Sequence, residues 1–270
     1  MSPAKFSAES ADSDKAARVP YASQRRQLII ARLGVTGRID VSDVAAELGV
    51  THETVRKDLI GLERQGLLRR VHGGALPVGQ SFEPAVSARV YFTAEKTRIA
   101  KAALAHLPED GAILIDAGST TALLAELFPV GHKLTAYTNT LPIALALVKH
   151  PTVTVTMLGG RIRPLTLAEV DDWAARSLAD INVDVAFLGA NAISVDRGLT
   201  TPDPSEGAIK RLMLGSARRR ILLADHSKVG TVSLYKHADL SDIDLLITDR
   251  DLPQSELRAL QAVGLEVELA

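Results

Sequence analysis

Seven short β-rich segments alternate with helical segments from residue 112 to the end of the chain. The predicted strands are residues 112–116, 133–138, 153–158, 184–189, 220–225, 244–249 and 265–269. The predicted helices are residues 93–106, 120–127, 142–149, 171–179, 205–217 and 254–262. Strands that alternate with helices in this way predict an α/β fold with a mostly parallel sheet covered by helices. Such sheets bind ligands at the carboxyl ends of their strands.

The first 77 residues follow a different pattern, in which short helices are separated by glycine-containing turns. The predicted helices are residues 24–33, 43–48 and 52–65. Ser23, Ser42 and Thr51 precede them and are predicted N-caps, because their hydroxyls can accept hydrogen bonds from the first N–H groups. Gly49 follows the second helix, where a left-handed residue is favoured. The first helix is expected to end at Gly34.

The third of these helices has an apolar stripe and a polar, partly basic face. Val55, Leu59 and Leu62 recur at the spacing of one helix face and predict its buried side. Two short helices joined by a tight turn predict a helix-turn-helix, whose last helix enters the major groove of DNA. Residues 67–76 predict a β-hairpin wing that places basic side chains near the phosphate backbone.

Composition and charge exclude several classes of protein to which this chain could otherwise belong. The net charge of −1 excludes a uniformly basic nucleic-acid-binding protein, but residues 1–77 carry a net charge of +3 and the remainder −4. The chain has no cysteine, which excludes disulfides, thiolate nucleophiles and cysteine-based zinc sites. No stretch approaches the ~20 apolar residues of a membrane helix. We therefore expect a cytoplasmic protein with no membrane partner.

These changes of pattern divide the chain into four expected segments. Residues 1–20 are small and polar and predict a disordered tail. Residues 21–77 are expected to form a winged helix-turn-helix domain, and residues 78–90, with proline and glycine, a linker. Residues 91–270 are expected to bind an effector and to oligomerise.

The loop at residues 116–121, Asp-Ala-Gly-Ser-Thr-Thr, follows an apolar strand and opens a helix. Gly118 permits a tight turn, and Ser119, Thr120 and Thr121 add hydroxyls to the N–H groups of the helix start. Such N–H groups and the helix dipole favour an anion, for which a phosphate is the natural occupant. The alternative is an ordinary turn with a Ser or Thr cap.

Other predicted strands also end in polar loops. Asn139, Gly160, Asp225 and Lys228 lie in such loops. Glu206 and Lys210 lie four residues apart on a later helix, a spacing that also occurs in simple surface ion pairs. Each position taken alone is typical of ordinary structure, but their shared location at strand ends favours a pocket.

Residues 24–76 resemble the N-terminal domain of the DeoR family of bacterial transcription regulators, through the motifs at residues 39–59 and 62–75. Thr51 stands where the family usually has Ser, and Lys57 stands where it has Arg, which removes the fork geometry of a guanidinium. The residues that the helix face and this resemblance predict to bind DNA are Arg25, Arg26, Thr51, His52, Glu53, Thr54, Arg56, Lys57, Arg69, Arg70 and His72.

The second half is similar to the DeoR C-terminal effector domain, through motifs at residues 116–121, 138–139, 159–160, 198–213, 224–230 and 247–249. This resemblance implies a phosphorylated sugar as effector and a fold similar to ribose-5-phosphate isomerase and glucosamine-6-phosphate deaminase. The residues predicted to bind it are Asp116, Gly118, Ser119, Thr120, Thr121, Asn139, Gly160, Glu206, Lys210, Asp225 and Lys228. Asp171 departs from the family, which commonly has Gly there, and its charge is expected to affect the edge of the pocket.

The sequence therefore predicts a transcription regulator, usually a repressor in this family, whose affinity for double-stranded operator DNA changes when a sugar phosphate binds. A single DNA-binding module offers only ~600–1,000 Å² of interface, so we expect a homo-oligomer, a dimer or a tetramer. The alternatives are a sugar-phosphate isomerase or deaminase using Asp116, Glu206 and Lys210, and a DNA-binding scaffold that only oligomerises. No paired metal-ligand spacing is present, and no metal or cofactor is expected.

Overall fold

The computed structural model describes residues 20–64, 68–71, 73–77 and 92–270. Three predicted features lie outside the described residues: the linker at 78–90, nearly all of the tail at 1–20, and His72. The chain divides into two compact units, with the main boundary between Leu76 and Pro77.

The N-terminal unit contains three helices and a small sheet. The helices are α1 (Ala22–Thr36), α2 (Val41–Leu48) and α3 (His52–Arg64), and the strands are β1 (Ile39–Asp40), β2 (Leu68–Val71) and β3 (Gly74–Pro77). The sheet order is β1-β3-β2. Val55, Leu59 and Leu62 of α3 are buried in the common core, as the apolar stripe predicted. The helix-turn-helix and the hairpin wing are thus confirmed as structural elements.

Three details of the helices in this unit differ from the sequence prediction. Helix α1 begins at Ala22, so Ser23 lies within it and is not its N-cap. Helix α1 continues through Gly34 to Thr36, because a single glycine in a helix costs only about 1 kcal/mol and does not by itself end it. Asp40, rather than Ser42, caps α2, since its carboxylate accepts a hydrogen bond from the Ser42 N–H. Gly49 does adopt the left-handed conformation, with φ 64°.

The C-terminal unit is built around a seven-stranded sheet in which every neighbouring pair is parallel. Its strands are β4 (Asp110–Ile115), β5 (Lys133–Thr138), β6 (Val153–Met157), β9 (Val183–Gly189), β12 (Ala217–Leu223), β14 (Leu245–Thr248) and β15 (Val267–Leu269). The strand order is β15-β14-β12-β9-β4-β5-β6. The predicted α/β class and all seven predicted strands are confirmed, with ends shifted by up to three residues.

Helices cover both faces of this sheet. They are α4 (Thr93–Leu104), α5 (Ser119–Glu126), α6 (Leu141–Leu147), α7 (Asp172–Ala179), α8 (Pro204–Gly215) and α9 (Gln254–Ala262). Alternate residues of each strand enter opposite cores, as in β4, where Leu114 belongs to one cluster while Ile113 and Ile115 belong to the other. None of the helices in the described ranges has the length and apolar character needed to cross a bilayer.

In the C-terminal unit, the sequence did not predict five short antiparallel strands. They are β7 (Arg161–Ile162), β8 (Glu169–Val170), β10 (Ala192–Ser194), β11 (Gly198–Thr201) and β13 (Tyr235–Ala238). β7 pairs with β8, and the other three form a separate sheet. Strands of two to four residues are too short to show the alternation of polar and apolar residues that identifies a strand.

Candidate DNA-binding and effector sites

Helix α3 presents its polar face to solvent. The Thr51 hydroxyl accepts a hydrogen bond from the Thr54 N–H at 3.2 Å, which confirms Thr51 as the cap. His52, Glu53, Arg56 and Lys57 are exposed. Arg56 is 60% exposed, and its guanidinium lies 3.8 Å from the Glu53 carboxylate. A weak exposed pair of this kind leaves the guanidinium able to turn toward a base edge.

Arg25 and Arg26 of α1 both contact Asp58 of α3, which is buried. The Nε atoms of Arg25 and Arg26 donate to its two carboxylate oxygens at 2.8 and 3.1 Å. The Arg25 side chain is only 14% exposed, and its Nη1 also donates to the Pro20 carbonyl. These arginines therefore fix α1 against α3, a role that the sequence analysis missed, and their predicted contact with DNA stays a prediction.

The wing is tied to the end of α3 through one pair of residues. The Arg70 N–H donates to the Glu63 carboxylate at 2.8 Å, and Arg70 Nε donates to it at 2.6 Å. These contacts lower the pKa of Glu63. Arg69 is exposed on the same strand. A phosphate contact by Arg70 therefore has to compete with Glu63, a condition that the sequence did not reveal.

The loop after β4 lies where the strand order of the parallel sheet reverses, since β5 flanks β4 on one side and β9 on the other. Ligands of open parallel sheets bind at such a point. Gly118 is the N-cap of α5, and no side chain caps this helix start. The Thr121 hydroxyl donates to the Gly118 carbonyl at 3.0 Å, and Thr120 is buried. Ser119 is thus the hydroxyl of this loop that stays half-buried at the helix start.

Asp116 forms a buried polar network beneath this loop. Its carboxylate accepts hydrogen bonds from Lys210 Nζ and from the Gly189 N–H, the latter at 3.1 Å. Lys210 Nζ also donates to the Gly189 carbonyl at 3.1 Å, and Asn139 Oδ1 accepts from the Ala117 N–H at 3.0 Å. Burial raises the pKa of Asp116, and the charge of Lys210 opposes that shift. The structure therefore brings together Asp116, Asn139 and Lys210.

Glu206 belongs to a second network, centred on Arg163. Its carboxylate accepts from Arg163 Nη1 and from the Thr166 hydroxyl, while Arg163 Nε lies 3.2 Å from Asp203. Glu206 and Lys210 are both buried and bind different partners, so the simple surface ion pair considered above is excluded. Sequence reasoning missed Arg163 and Thr166 because they lie between the very short strands β7 and β8.

A cavity of about 240 Å³ opens beside the start of α5. Gly118, Ser119, Ala122 and Leu123 of the loop and helix form one wall. The other walls include Thr93 and Lys96 from α4, Thr140, Pro142 and Ile143 from the start of α6, and Thr166. Lys96 was not among the predicted residues. Asp116, Asn139, Glu206, Lys210 and Lys228 do not line this cavity, so their predicted contact with an effector stays untested.

Comparison with known proteins identifies both units. Residues 25–80 match the DeoR-like helix-turn-helix domain, and residues 92–250 match the DeoR C terminal sensor domain. The chain belongs to the DeoR family of transcriptional regulators. It is therefore a DNA-binding regulator and not an enzyme, as the sequence predicted.

Two curated relatives and one solved structure illustrate the range of similarity to this DeoR chain. A protein named for repression of the aga operon in Escherichia coli O157:H7 is 36% identical, covering 93% of this chain and 95% of the relative. The HTH-type transcriptional repressor GlcR of Bacillus subtilis is 31% identical, covering 92% of this chain and 96% of the relative. Ribose 5 phosphate isomerase A from Neisseria gonorrhoeae is 18% identical, covering 51% of this chain and 53% of that chain, with a TM-score of 0.38.

The position at which the family resemblance led us to expect glycine has a strained backbone. Asp171 precedes α7 with φ 76°, a conformation that favours glycine and strains most other residues. Arg161 Nε donates to its carboxylate at 2.6 Å, which places the charge in an exposed pair. Asp171 does not line the 240 Å³ cavity, so the expected effect on a pocket edge has no support from this cavity.

Two further predicted positions of the sensor domain, Gly160 and Asp225, have roles in the local backbone structure. Gly160 has φ 115°, and a Cβ there would lie 2.5 Å from the Val170 carbonyl oxygen, so glycine is required. Asp225 caps the 3-10 helix His226–Lys228, and its carboxylate accepts from the Ser227 N–H at 3.2 Å. Lys228 lies at the end of that short helix.

One cluster at the same end of the sheet has metal-ligand side chains. His226, Asp249 and Asp251 bring ligand atoms within 4.8 Å of one another. However, the Asp249 carboxylate already contacts His226 Nδ1 at 2.8 Å and accepts from the N–H groups of His226 and Asp251 at 2.8 and 3.1 Å. These contacts account for Asp249 as a structural residue that holds the loop.

Proposed function

We propose that this DeoR-family regulator represses genes of sugar uptake or catabolism and releases its operator when a phosphorylated sugar binds the sensor domain. The observation that carries this proposal is the uncapped start of α5 at Gly118 and Ser119, which borders the 240 Å³ cavity. The first N–H groups of a helix and its dipole favour an anion, and a phosphate fits that chemistry. Both curated relatives are named as repressors, which supports the sign of regulation.

The size of the cavity also favours a small ligand. Its volume lies below the ~300–1,000 Å³ of pockets that enclose drug-sized molecules. Ala122, Leu123, Pro142 and Ile143 provide apolar contact beside the polar helix start. A phosphoryl group at one end and a carbon skeleton along the wall match this distribution of polar and apolar groups.

The decisive experiment measures operator binding while the effector is varied. Fluorescence anisotropy with the DNA upstream of the gene itself should give specific binding that decreases with one or more sugar phosphates and far less with the parent sugars. The double variant Ser119→Ala, Thr120→Ala should keep operator binding and lose this response. Equal effects of a sugar and its phosphate ester would contradict the proposal.

We further propose that the sensor domain assembles the chain into a homo-oligomer that places two DNA-binding units on two half-sites. A ligand changes operator affinity only when it binds one state of the assembly better than another. Closure of loops around a phosphate would then alter the spacing of the two units. Light scattering of residues 91–270 at micromolar concentration should show at least a dimer, and a monomer there would exclude assembly through this part of the chain.

A further inference from the structure

The seven-stranded sheet ends at β6, and this edge strand has no charged residue and no proline. β6 pairs with β5 on one side, so half of its N–H and C=O groups point outward. Its sequence is Val-Thr-Val-Thr-Met, without the charges and prolines that usually protect an edge from pairing. The opposite edge strand, β15, has three residues and includes Glu268. Of the two edges of this sheet, β6 is therefore the one better suited to pair with another strand.

The backbone of β6 is also complementary to itself. The Leu158 N–H donates to the Thr138 carbonyl at 3.1 Å. Because successive N–H groups point to opposite sides of a strand, Thr154 and Thr156 also bond toward β5, and Val155 points its N–H and C=O outward. In an antiparallel pair of β6 strands centred on Val155, Thr154 of one copy would lie opposite Thr156 of the other. Such threonine pairs are favourable, and no like charges would meet.

Helix α6, which packs on one face of the sheet against β6 and α5, has an exposed apolar stripe. Leu141, Leu145 and Val148 are 43%, 56% and 64% exposed. At 3.6 residues per turn they fall within about 60° of one another around the helix axis. Pro142 and Ile143, which line the cavity bordered by α5, lie on a different side of the helix. The stripe therefore points away from α5, over the free edge of β6.

Helix α7 flanks the same edge on the other face of the sheet. The Ser177 hydroxyl donates at 2.7 Å to the carbonyl of Leu158, the residue that follows β6. Trp173 lies one turn before Ser177 on the same side of α7 and is 70% exposed. Arg176 Cζ lies 5.9 Å from the centroid of its ring. Tryptophan and arginine are enriched in protein interfaces, so both faces of the sheet present suitable side chains beside β6.

We propose that two copies of this chain associate through the β6 edge, with their β6 strands antiparallel and with α6 and α7 packed against the same helices of the other copy. This inference rests on the proposed assembly of the sensor domain into a homo-oligomer. A two-fold axis at Val155 makes the contact identical for both copies, as in closed dimers. The edge is roughly 17 Å long and roughly 30 Å across its three layers, about 500 Å² in outline. Side chains give such a face more accessible surface than its outline, which brings it near the ~800 Å² per partner of a standard interface.

The test measures the mass of the full-length protein by light scattering over a range of concentrations. The wild type should be a dimer or a larger even-numbered assembly. Leu145→Lys should raise the dissociation constant of this contact at least about 100-fold, because it places like charges on two facing helices. Val263→Lys is the matched control, since Val263 is 47% exposed and follows α9, which packs against β15 at the opposite edge. This control should keep the wild-type mass.

A charge exchange on β6 tests the antiparallel register. In the double variant Thr154→Lys, Thr156→Lys, each lysine would face a lysine of the other copy, so the mass should fall by half. In Thr154→Lys, Thr156→Glu, each lysine would face a glutamate, and the wild-type mass should be kept. Both threonines are exposed, so both variants should fold, which circular dichroism checks. The emission of Trp173, the single tryptophan, should shift to longer wavelength when the copies separate.

The outcomes separate this surface from the proposed assembly. An oligomeric wild type whose mass is kept in Leu145→Lys, or equal masses of the two double variants, overturns the β6 interface and leaves the proposed homo-oligomer intact. Loss of assembly in Val263→Lys also overturns it, in favour of the β15 edge. A wild type that is monomeric at every concentration overturns the proposed assembly and this inference together.

Discussion

The two units of the chain place their functional polar side chains in opposite environments. In the DNA-binding unit, the predicted base-reading residues, such as His52 and Arg56, are exposed on α3, on the side of the helix opposite its apolar core. In the sensor unit, Asp116 and Lys210 are buried and paired with each other, and Glu206 is buried and paired with Arg163. Buried polar groups have to be satisfied, whereas exposed ones exchange contacts with water at little cost.

Function and stability should therefore be separable in the DNA-binding unit and coupled in the sensor unit. Removal of an exposed side chain on α3 should affect DNA binding, if the predicted contact exists, and leave the core unchanged. Removal of a buried charge in the sensor leaves its partner unsatisfied, so that loss of response and loss of structure occur together. The predictions below test this contrast, beginning with the largest expected effect.

Lys210→Met should destabilise the sensor unit by about 3–5 kcal/mol, because it leaves the Asp116 carboxylate buried without its cation. Denaturant unfolding followed by the fluorescence of Trp173, the single tryptophan, reports on this unit directly. Restoration of most of that loss is expected in Lys210→Met with Asp116→Asn, which removes both charges. Unchanged stability in the single variant would show that the pair is not a buried structural contact.

Arg56→Ala should abolish operator discrimination worth about 1–3 kcal/mol, because it removes a side chain that we predict to read a base edge. Its effect on unfolding should stay within about 0.5 kcal/mol, since the guanidinium is 60% exposed. Competition binding with operator and random DNA measures the first quantity. An unchanged ratio of the two affinities would mean that α3 is not the recognition helix in this orientation.

Arg25→Ala is the control within the same unit. Its guanidinium is 14% exposed and contacts Asp58, so its removal should lower the free energy of unfolding of the DNA-binding unit. The comparison of Arg25 with Arg56 is stricter than a comparison between units, because both arginines lie in the same unit. If Arg25→Ala left stability unchanged and Arg56→Ala reduced it, the distinction between exposed and buried polar groups would fail here.

Much of the DNA-binding unit could be predicted from sequence because its signals are local. The stripe of Val55, Leu59 and Leu62, the cap at Thr51 and the glycine at position 49 each specify one element. The pairing of Arg25 and Arg26 with Asp58 could not be predicted, because it joins residues more than 30 positions apart. Its partners are charged residues whose spacing resembles that of any solvated helix.

In the sensor unit, too, the local elements could be predicted from sequence and the contacts between distant residues could not. Its seven strands are continuous apolar runs, which parallel sheets produce when both faces are covered, and so they were predictable. The polar contacts join distant elements, as Lys210 of α8 joins Asp116 at the end of β4. Lys96 was missed because a lysine on an amphipathic helix normally indicates the solvent side, and its burial depends on the packing of α4 against α5.

His237 makes the stability of the sensor unit depend on pH. Burial, with the charges of Lys210 and Arg211, lowers its pKa from 6.5 to about 3. The unfolded chain therefore binds a proton below pH 6.5 that the folded one rejects, so stability is full above pH 6.5 and falls as the pH decreases toward 3. The expected loss between pH 6 and 5 is about 1 kcal/mol.

Thermal melting of the wild type and of His237→Gln across that range measures this contribution. The variant lacks the titrating ring, and its curve should decline less steeply with acidification. His237 Nδ1 has no hydrogen-bond partner among the described residues, so a polar replacement removes no hydrogen bond at that atom. Parallel curves for the two proteins would assign the acid sensitivity to other groups.

The smallest expected effect lies in the wing, where Arg70 is exposed but paired with Glu63. Arg70→Ala should weaken binding to operator and random DNA alike, and reduce the slope of log affinity against log salt by about 0.9, the value for one phosphate contact. Glu63→Gln should strengthen both affinities slightly, because it releases Arg70 from the carboxylate that now holds it. Salt titrations of the two variants separate the roles of this arginine: a phosphate contact changes the slope, whereas a purely structural contact with α3 would lower affinity at an unchanged slope. The second result would place Arg70 with Arg25 among the residues that hold the DNA-binding unit together.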